Sequence, residues 1–192
     1  MRVDRRMTRV PRRGARHADA TRQAGVAAAV AGLSWTLLAA ESIAHPAPRV
    51  SRTIVWYLPW LATTVAVDRM HRLQSSSTDK VEVVGYLVNV WGAPVVAIGN
   101  ALALRRGGQR YAAAAALTWT TGLVLFGIGT ARARSTARWL GPAIAASQPL
   151  TVAIALALSP RVPLSPIGSY SGALGHGLVW LGIAGSLHRT TR

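Results

Sequence analysis

The chain lacks cysteine altogether, and it contains only one lysine and one phenylalanine among 192 residues. The absence of cysteine excludes disulfide bonds, thiolate metal sites and a cysteine nucleophile. No His-Glu-x-x-His motif and no cluster of histidine and acidic residues provides metal-ligand spacing. Since no Gly-x-x-x-x-Gly-Lys phosphate loop occurs either, the sequence predicts neither a metal nor an organic cofactor.

Acidic residues are also scarce, with 6 Asp and Glu against 22 Lys and Arg, which gives a formal net charge of +16. A charge of this size raises the possibility of nucleic-acid binding. Here, however, the basic residues lie in the N-terminal tail and between apolar segments. That placement is typical of topology determinants in membrane proteins, so we expect no nucleic-acid partner.

What the chain has in quantity is small and aliphatic residues. Hydrophobic residues make up 51% of the chain, and 18 glycines accompany them. Charged residues make up 15%, below the ~25% that is usual in soluble domains. Because small residues allow transmembrane helices to pack closely, this composition favours an all-α integral membrane protein.

Six apolar segments predict six transmembrane helices in a membrane domain that covers residues 23–192. They lie at about 24–44, 53–68, 82–104, 111–131, 141–158 and 170–187. The second is shorter than the ~20 residues that a span usually needs. Residues 1–22, which contain eight arginines, are predicted to be a disordered cytoplasmic tail.

The distribution of basic residues predicts the orientation of these helices. With the N-terminus inside, sixteen of the 22 basic residues lie on the cytoplasmic side of the six predicted spans. The positive-inside rule therefore predicts a multi-pass protein of the cell membrane with both termini in the cytoplasm.

Two trios of glycines, each spaced by seven residues, lie 83 residues apart in the third and sixth apolar segments. They are Gly85, Gly92 and Gly99, and Gly168, Gly175 and Gly182. Seven residues is almost two helical turns, so each trio occupies one face of its helix. We expect these glycine faces to allow close helix packing and to meet near the centre of the molecule.

Further matches between the two halves indicate a duplicated unit. Trp-x-x-Pro occurs at Trp56 and again at Trp139, and Leu-Ser-Trp-Thr around Trp35 corresponds to Leu-Thr-Trp-Thr around Trp119. The predicted repeats cover about 23–106 and 107–190. Since each unit has three helices, successive units enter the membrane with opposite orientation, and the prediction is a 3+3 inverted repeat.

His176 is the sharpest single candidate for a functional residue. It lies inside the sixth predicted helix in the sequence Gly-His-Gly, and an ionisable group within a span is a functional hypothesis by default. We expect Asn89 in the third segment and Gln148 in the fifth to share a polar centre with it. The alternative is a neutral histidine that bonds to a neighbouring carbonyl or hydroxyl across a helix contact.

Glu41 and His45 form a second candidate pair, spaced by one helical turn near the outer end of the first predicted helix. An adjacent carboxylate and imidazole can form an ion pair, a proton site or half of a metal site. The alternative, which we favour, is a hydrated helix end, because Pro46 and Pro48 terminate the helix there.

Two other patterns have weaker functional interpretations. Ser171 with His176 resembles a nucleophile and a base, but residues spaced i, i+5 point about 140° apart on a helix and cannot easily bond. The seven tryptophans could form an aromatic ligand cage. Several lie near segment ends, so we favour an aromatic belt or core packing.

The leading functional prediction is a small transporter or permease-like protein with a polar path at the repeat interface. The alternative is a structural or accessory membrane subunit, which the scarcity of charge within the spans favours. An intramembrane hydrolase or lipid-modifying enzyme is a weaker alternative. Expected partners are the lipid bilayer, anionic lipid at the Arg-rich tail, further copies of the chain, or other membrane subunits.

Overall fold

A computed structural model describes residues 13–74, 79–104, 109–133, 137–164 and 169–190. Within these ranges the chain is helical and has no strands. The helices are α1 (Arg13–Ala44), α2 (Val50–Val55), α3 (Tyr57–Leu73), α4 (Lys80–Val90), α5 (Ala93–Ala103), α6 (Gln109–Ala133), α7 (Leu140–Leu158) and α8 (Ala173–Arg189).

The first helix begins before the predicted membrane domain, so the prediction of a disordered tail is wrong for residues 13–22. These residues form the first turns of α1, and residues 1–12 lie outside the described ranges. The hydroxyl of Thr21 donates to the carbonyl oxygen of His17 at 2.9 Å. Gly25, one turn further on, lies against Leu187 of α8. Tertiary contact with α8 thus supports a helix in a segment whose composition alone indicated disorder.

Two of the six apolar segments contain helix breaks. The second is divided at Trp56 into α2 and α3. The third is divided at Trp91 and Gly92 into α4 and α5, whose axes differ by 41°. Gly92 is a weak helix former, and Pro94 in the first turn of α5 lacks the N–H that would bond back to Val90. Local chemistry therefore accounts for the bend.

Three helical stretches are long and apolar enough to cross a membrane, namely His17–Ala44, Arg110–Ala133 and Leu140–Leu158. The bent pair α4 and α5 is a fourth if it counts as one span. Helices α3 and α8 have 17 residues each, which is short of the ~20 that a perpendicular span usually needs. Three to four of the six predicted spans are therefore confirmed as apolar helices of spanning length. The chain is compatible with a multi-pass membrane protein.

The helices form a closed ring. In order, the neighbours are α1, α3, α4 with α5, α6, α7 and α8, and α8 packs back against α1. Neighbours run antiparallel, as the pair α1 and α8 shows, because Gly25 approaches Leu187 whereas Gly32 approaches Leu181. One end of the ring carries the α1–α2, α5–α6 and α7–α8 connections. We call it the cavity end, and the other the opposite end.

Glycines occur where helix backbones approach most closely. A Cβ atom on Gly85 of α4 would lie 2.6 Å from Cα of Phe126 in α6, and one on Gly122 would lie 2.8 Å from the backbone nitrogen of Asn89. On the far side of the ring, a Cβ on Gly32 of α1 would lie 2.7 Å from the backbone nitrogen of Leu181. An alanine at any of these positions would therefore require the two helices to move apart.

The described glycines of the two trios do not meet each other, and the prediction of a central crossing between them is wrong. Gly99 packs against Tyr111 of α6, and Gly92 lies near Thr118 of the same helix. Gly175 packs against Leu150 of α7, whereas the nearest atom to Gly182 belongs to Trp139 at 3.8 Å. Gly168 lies outside the described residues. In the ring, α8 packs on α1 and α7, while α4 and α5 pack on α6.

Candidate functional site

A cavity of about 320 Å³ lies inside the ring toward the cavity end, and we call it the central cavity. Every predicted segment contributes to its wall. The residues, in chain order from first segment to sixth, include Trp35, Trp56, Asn100, Thr120, Gln148 and His176. The lining also takes in Ser169, Tyr170 and Gly172 just before α8. The cavity therefore lies at the centre of the ring, and its shape depends on all six segments.

Aromatic rings form much of the wall of the central cavity. The ring centroids of Trp35 and Trp119 lie 5.5 Å apart with planes tilted by 34°, and those of Trp35 and Trp56 lie 6.0 Å apart at 75°. Tyr170 lines the cavity near the cavity end, where its hydroxyl donates to Oγ1 of Thr53 at 3.1 Å. The tryptophans were predicted to form a belt or core, and Trp35, Trp56 and Trp119 are indeed buried in the hydrophobic core, where they also line the cavity.

His176 is the polar centre of the cavity and is 1% exposed. The indole N–H of Trp180 donates to its Nε2 at 2.8 Å. Its Nδ1 lies 3.2 Å from the side-chain amide of Gln148, and that amide lies 3.2 Å from the hydroxyl of Thr120. The imidazole also packs edge-on against Trp35, with centroids 5.2 Å apart and planes at 81°. The ring is therefore held by partners on α7 and α8.

The bond from Trp180 determines the protonation state of His176. An indole nitrogen can only donate, so Nε2 carries no hydrogen, and the single hydrogen of the neutral imidazole is on Nδ1. Nδ1–H needs an acceptor, which favours the amide orientation that turns the oxygen of Gln148 toward His176. A protonated imidazole would place a second N–H against the indole N–H. The geometry therefore fits neutral His176.

The three residues predicted to share a polar centre are only partly brought together. Gln148 and His176 contact each other, but Asn89 lies against Gly122 at the α4–α6 contact and does not line the cavity. Both side-chain polar atoms of Asn89 are buried without a partner among the described residues. Asn100, which no sequence pattern indicated, lines the cavity in its place and donates to the carbonyl oxygen of Val96 at 2.9 Å.

Glu41 and His45 lie at the cavity end of α1, outside the central cavity. Their side chains approach to 3.5 Å, and both are partly exposed. The stronger partner of Glu41 is Arg52 of α2, whose side chain is 3% exposed and also donates to the carbonyl oxygen of Ala47 at 2.9 Å. A buried guanidinium thus ties α2 to the end of α1. Sequence spacing missed this pair because the two residues are brought together by a turn.

The arrangement around His176 does not support a serine hydrolase. Ser171 is buried at the start of the last helix, but both ring nitrogens of His176 already face Gln148 and Trp180. A general base needs a free nitrogen within hydrogen-bond reach of the nucleophile. The i, i+5 separation and these occupied nitrogens together argue against the pair as catalytic groups.

A second polar cluster lies at the opposite end, between α3 and α4. Nδ1 of His71 is 2.8 Å from Oε1 of the buried Glu82, and the imidazole stacks on Tyr86 with centroids 3.8 Å apart. The hydroxyl of Tyr86 donates to Asp68 at 3.2 Å. The hydrogen bond and charge of Asp68 also raise the pKa of Arg72, which it binds at 2.9 Å. This cluster joins α3 to α4 where the apolar contact between them is small.

No protein-family model, curated protein or solved structure matches this chain. Among the described residues, no group of three or more histidine and acidic side chains could hold a metal ion. The site therefore has to be interpreted from its own geometry. It defines a helical ring protein, compatible with multiple membrane spans, that encloses an aromatic cavity with a neutral polar centre.

Proposed function

We propose that the ring lies in a membrane, that all six segments cross it, and that the cavity end faces outward. Every helix of the ring exposes apolar side chains, for example Leu37 of α1 at 68%, Leu61 of α3 at 51% and Leu117 of α6 at 68%. Soluble monomers rarely expose a continuous apolar belt of this kind. The helices α3 and α8 are short, and long flanking side chains reach the membrane surface so that both helices can cross. The Arg-rich N-terminal tail contacts anionic lipid on the cytoplasmic side.

We propose that the ring is built from two inverted three-helix units. The matching tetrapeptides bring Trp35 against Trp119. Equivalent residues meet in this way near a two-fold axis, and this contact supports the proposal.

We propose that the protein is a small-molecule permease whose ligand binds in the central cavity. The observation that carries this proposal is the cavity itself, which is lined by all six segments toward the cavity end and contains the Gln148–His176 pair. Ligand pockets are typically concave and mostly apolar, with a few polar groups that orient the ligand. At an interface between inverted units, such a site is where transport proteins bind their substrates.

The cavity is closed on the side of the opposite end. Leu123, Ile144, Trp180 and Ile183 lie one to two turns beyond the cavity residues of their own helices, and all four are fully buried. This apolar layer separates the cavity from the Glu82–His71 cluster. A cavity that is sealed toward the opposite end fits one state of an alternating-access carrier.

A dry, close-packed crossing of Gly92 on Gly175, with no cavity, would support the alternative of an accessory subunit. The structure places these glycines against different helices, Gly92 near Thr118 and Gly175 near Leu150. The cavity occupies the centre of the ring instead. We therefore prefer the permease.

The cysteine-free chain allows a direct test by thiol labelling. Ala116 and its neighbour Leu117 are both exposed, but only Ala116 lines the cavity, whereas Leu117 is 68% exposed on the outer surface of the ring. We expect a charged, membrane-impermeant thiol reagent to label Ala116→Cys from outside intact cells, and more slowly in inside-out vesicles. Leu117→Cys, which faces lipid, should not react from either side.

Each other labelling pattern contradicts a part of the proposal. If Ala116→Cys were not labelled from either side, the cavity would not be hydrated, and the accessory role would be supported. If Ala116→Cys were labelled only from outside at every reaction time, the cavity would not open toward the inside. The protein would then bind a ligand without transporting it. Rapid labelling of Leu117→Cys would show that this helix surface is in water and that the membrane assignment is wrong.

A further inference from the structure

We infer that the central cavity opens sideways between α6 and α7, and that its ligand is an uncharged lipid. The headgroup of this lipid occupies the cavity, and its hydrocarbon chain extends through the opening into the bilayer. The inference rests on the proposed function, since it names a substrate class for the same site. It follows from the separation of α6 and α7, the apolar surroundings of the opening and the absence of charge in the lining.

Helices α6 and α7 pack closely at the opposite end of the ring. A Cβ atom on Gly127 of α6 would lie 2.5 Å from the backbone nitrogen of Ala145, and one on Gly141 of α7 would lie 2.6 Å from Cα of Ala131. Toward the cavity end, the contact continues to Thr120, whose hydroxyl lies 3.2 Å from the side-chain amide of Gln148. The two helices are therefore in contact up to this pair.

Beyond Thr120 and Gln148 the two helices separate. Ala116 precedes Thr120 by four residues and Val152 follows Gln148 by four, so each lies one turn nearer the cavity end on the same face of its helix. Ala116 is exposed, Val152 is 57% exposed, and both line the central cavity. Ala113, seven residues before Thr120, is also exposed and lines the cavity. Faces that are in contact further down thus leave an opening here.

The opening is continuous with the apolar outer surface of the ring. Leu117 lies one turn from Ala113, Leu156 lies one turn from Val152, and both leucines are exposed. In the proposed orientation this surface contacts the outer leaflet of the membrane. A lipid can therefore reach the cavity from the bilayer without exposing its hydrocarbon chain to water, which would be unfavourable.

The two edges of the opening have different surroundings. Ala116 lies one turn from Ala112, which is buried and lines the cavity, whereas Ala113 lies one turn from the exposed Leu117. The Ala116 edge therefore borders the hydrated cavity and the Ala113 edge borders lipid. A ligand with a polar headgroup and an apolar chain matches both edges at once.

The lining favours an uncharged headgroup. Among the described residues that line the cavity, none is acidic or basic apart from His176, and the bond from Trp180 fits a neutral imidazole there. Moving an ion into such a site without a partner is strongly unfavourable. Asn100, Thr120 and Gln148 offer uncharged hydrogen-bonding groups instead. We therefore expect a headgroup that carries hydroxyl groups.

The first test compares probes with chains of equal length and different headgroup charge. Purified full-length protein in an uncharged detergent is titrated with monolaurin, laurate and dodecylammonium, and native mass spectrometry measures the bound fraction. We expect monolaurin to bind at least about tenfold more tightly than either ion. Equal or tighter binding of laurate or dodecylammonium would overturn the inference.

A variant tests the opening between the helices. Ala113→Phe places a large side chain in the opening and should weaken monolaurin about tenfold. It should leave monobutyrin, whose chain is too short to extend into the bilayer, within about twofold by equilibrium dialysis. Leu117→Phe is the matched control, because Leu117 is exposed on the same helix but does not line the cavity. It should change neither probe.

Two results with these variants would contradict the route. An equal loss of both probes in Ala113→Phe would show that the cavity itself had changed, and no loss of either would place the chain elsewhere. Val152→Phe repeats the test from the α7 side of the opening. The wild-type probe series requires no variant, so it remains decisive if a variant folds poorly.

The outcomes separate this inference from the proposed function. If Ala116→Cys is labelled as expected and an ion binds best, the permease stands and the lipid class is wrong. If Ala116→Cys is not labelled from either side but monolaurin binds selectively and Ala113→Phe weakens it, the lipid site stands and the permease fails. If no probe binds and the native mass is that of a dimer, a second copy covers the opening and the inference is overturned.

Discussion

Trp35 and Trp119 lie ring against ring, with centroids 5.5 Å apart, yet only Trp35 uses its indole N–H in a hydrogen bond. The two residues occupy matching tetrapeptides in the two halves of the sequence. Their surroundings differ because Thr63 of α3 accepts from Trp35, and no described residue accepts from Trp119. This difference makes the two tryptophans a matched pair for measurement.

Substitution of each tryptophan by phenylalanine should therefore have unequal effects on stability. Trp35→Phe removes the bond to Thr63 and should lower the free energy of unfolding by about 1 kcal/mol more than Trp119→Phe. Trp119→Phe removes a buried donor that has no protein partner. Chemical unfolding in detergent measures both. A larger loss in Trp119→Phe would mean that its N–H already has a protein partner.

The glycines also offer a matched pair. Gly85→Ala should destabilise the protein by about 2 kcal/mol or more, because the new methyl group would meet backbone atoms of Phe126 in α6. Gly185→Ala should stabilise it by up to about 1 kcal/mol, since no atom lies within 4 Å and alanine is the better helix former. Thermal denaturation of the two variants tests this, and a neutral Gly85→Ala would contradict the close α4–α6 contact.

Arg52 and Arg49 both approach Glu41, but their burial differs. The Arg52 side chain is 3% exposed, whereas that of Arg49 is 52% exposed and its nitrogen lies 3.4 Å from Glu41. Arg52→Gln should lower stability more than Arg49→Gln does, because it removes the hydrogen bonds of a buried guanidinium to Glu41 and to the end of α1. Arg49→Gln should change it by less than about 0.5 kcal/mol. Similar melting temperatures for the two variants would show that the Glu41–Arg52 contact does not hold α2 to α1.

Asn89 is buried with both polar atoms unpartnered among the described residues. Asn89→Leu, which has a similar shape, should be neutral or should stabilise the protein by about 1–3 kcal/mol, because it removes two desolvated groups. Asn89→Asp should be strongly destabilising, since it buries a charge. The measurement is unfolding in detergent. A clear loss of stability in Asn89→Leu would show that Asn89 binds a partner such as an ordered water.

Much of the architecture could be predicted because it depends on local chemistry. Apart from the start of α1, the apolar segments become helices with ends close to those predicted. The bend of the third segment was not predicted, although it occurs where Gly92 and Pro94 weaken the helix. Gln148 and His176 were predicted to share a polar centre, and they do contact each other. Polar side chains within apolar helices are recognisable in a sequence because their burial requires partners.

The remaining features depended on which helices become neighbours. Spacing showed that each glycine trio occupies one helix face, but it did not show that Gly99 would pack on α6 and Gly175 on α7. Residues 13–22 were predicted to be disordered, because composition alone does not indicate that a segment packs against another helix, here α8. The contact between Arg52 and Glu41 was not predicted for the same reason, since a turn of the chain brings the two residues together.

The sequence by itself determined that this protein is helical, largely apolar and strongly basic, since these properties follow from residue type and local spacing. Only the tertiary structure decided that the ring closes around a cavity, that Asn100 and not Asn89 lines it, and that the indole N–H of Trp119 has no described partner. Those properties arise from side chains far apart in the chain. Which of them meet depends on how all the helices pack at once.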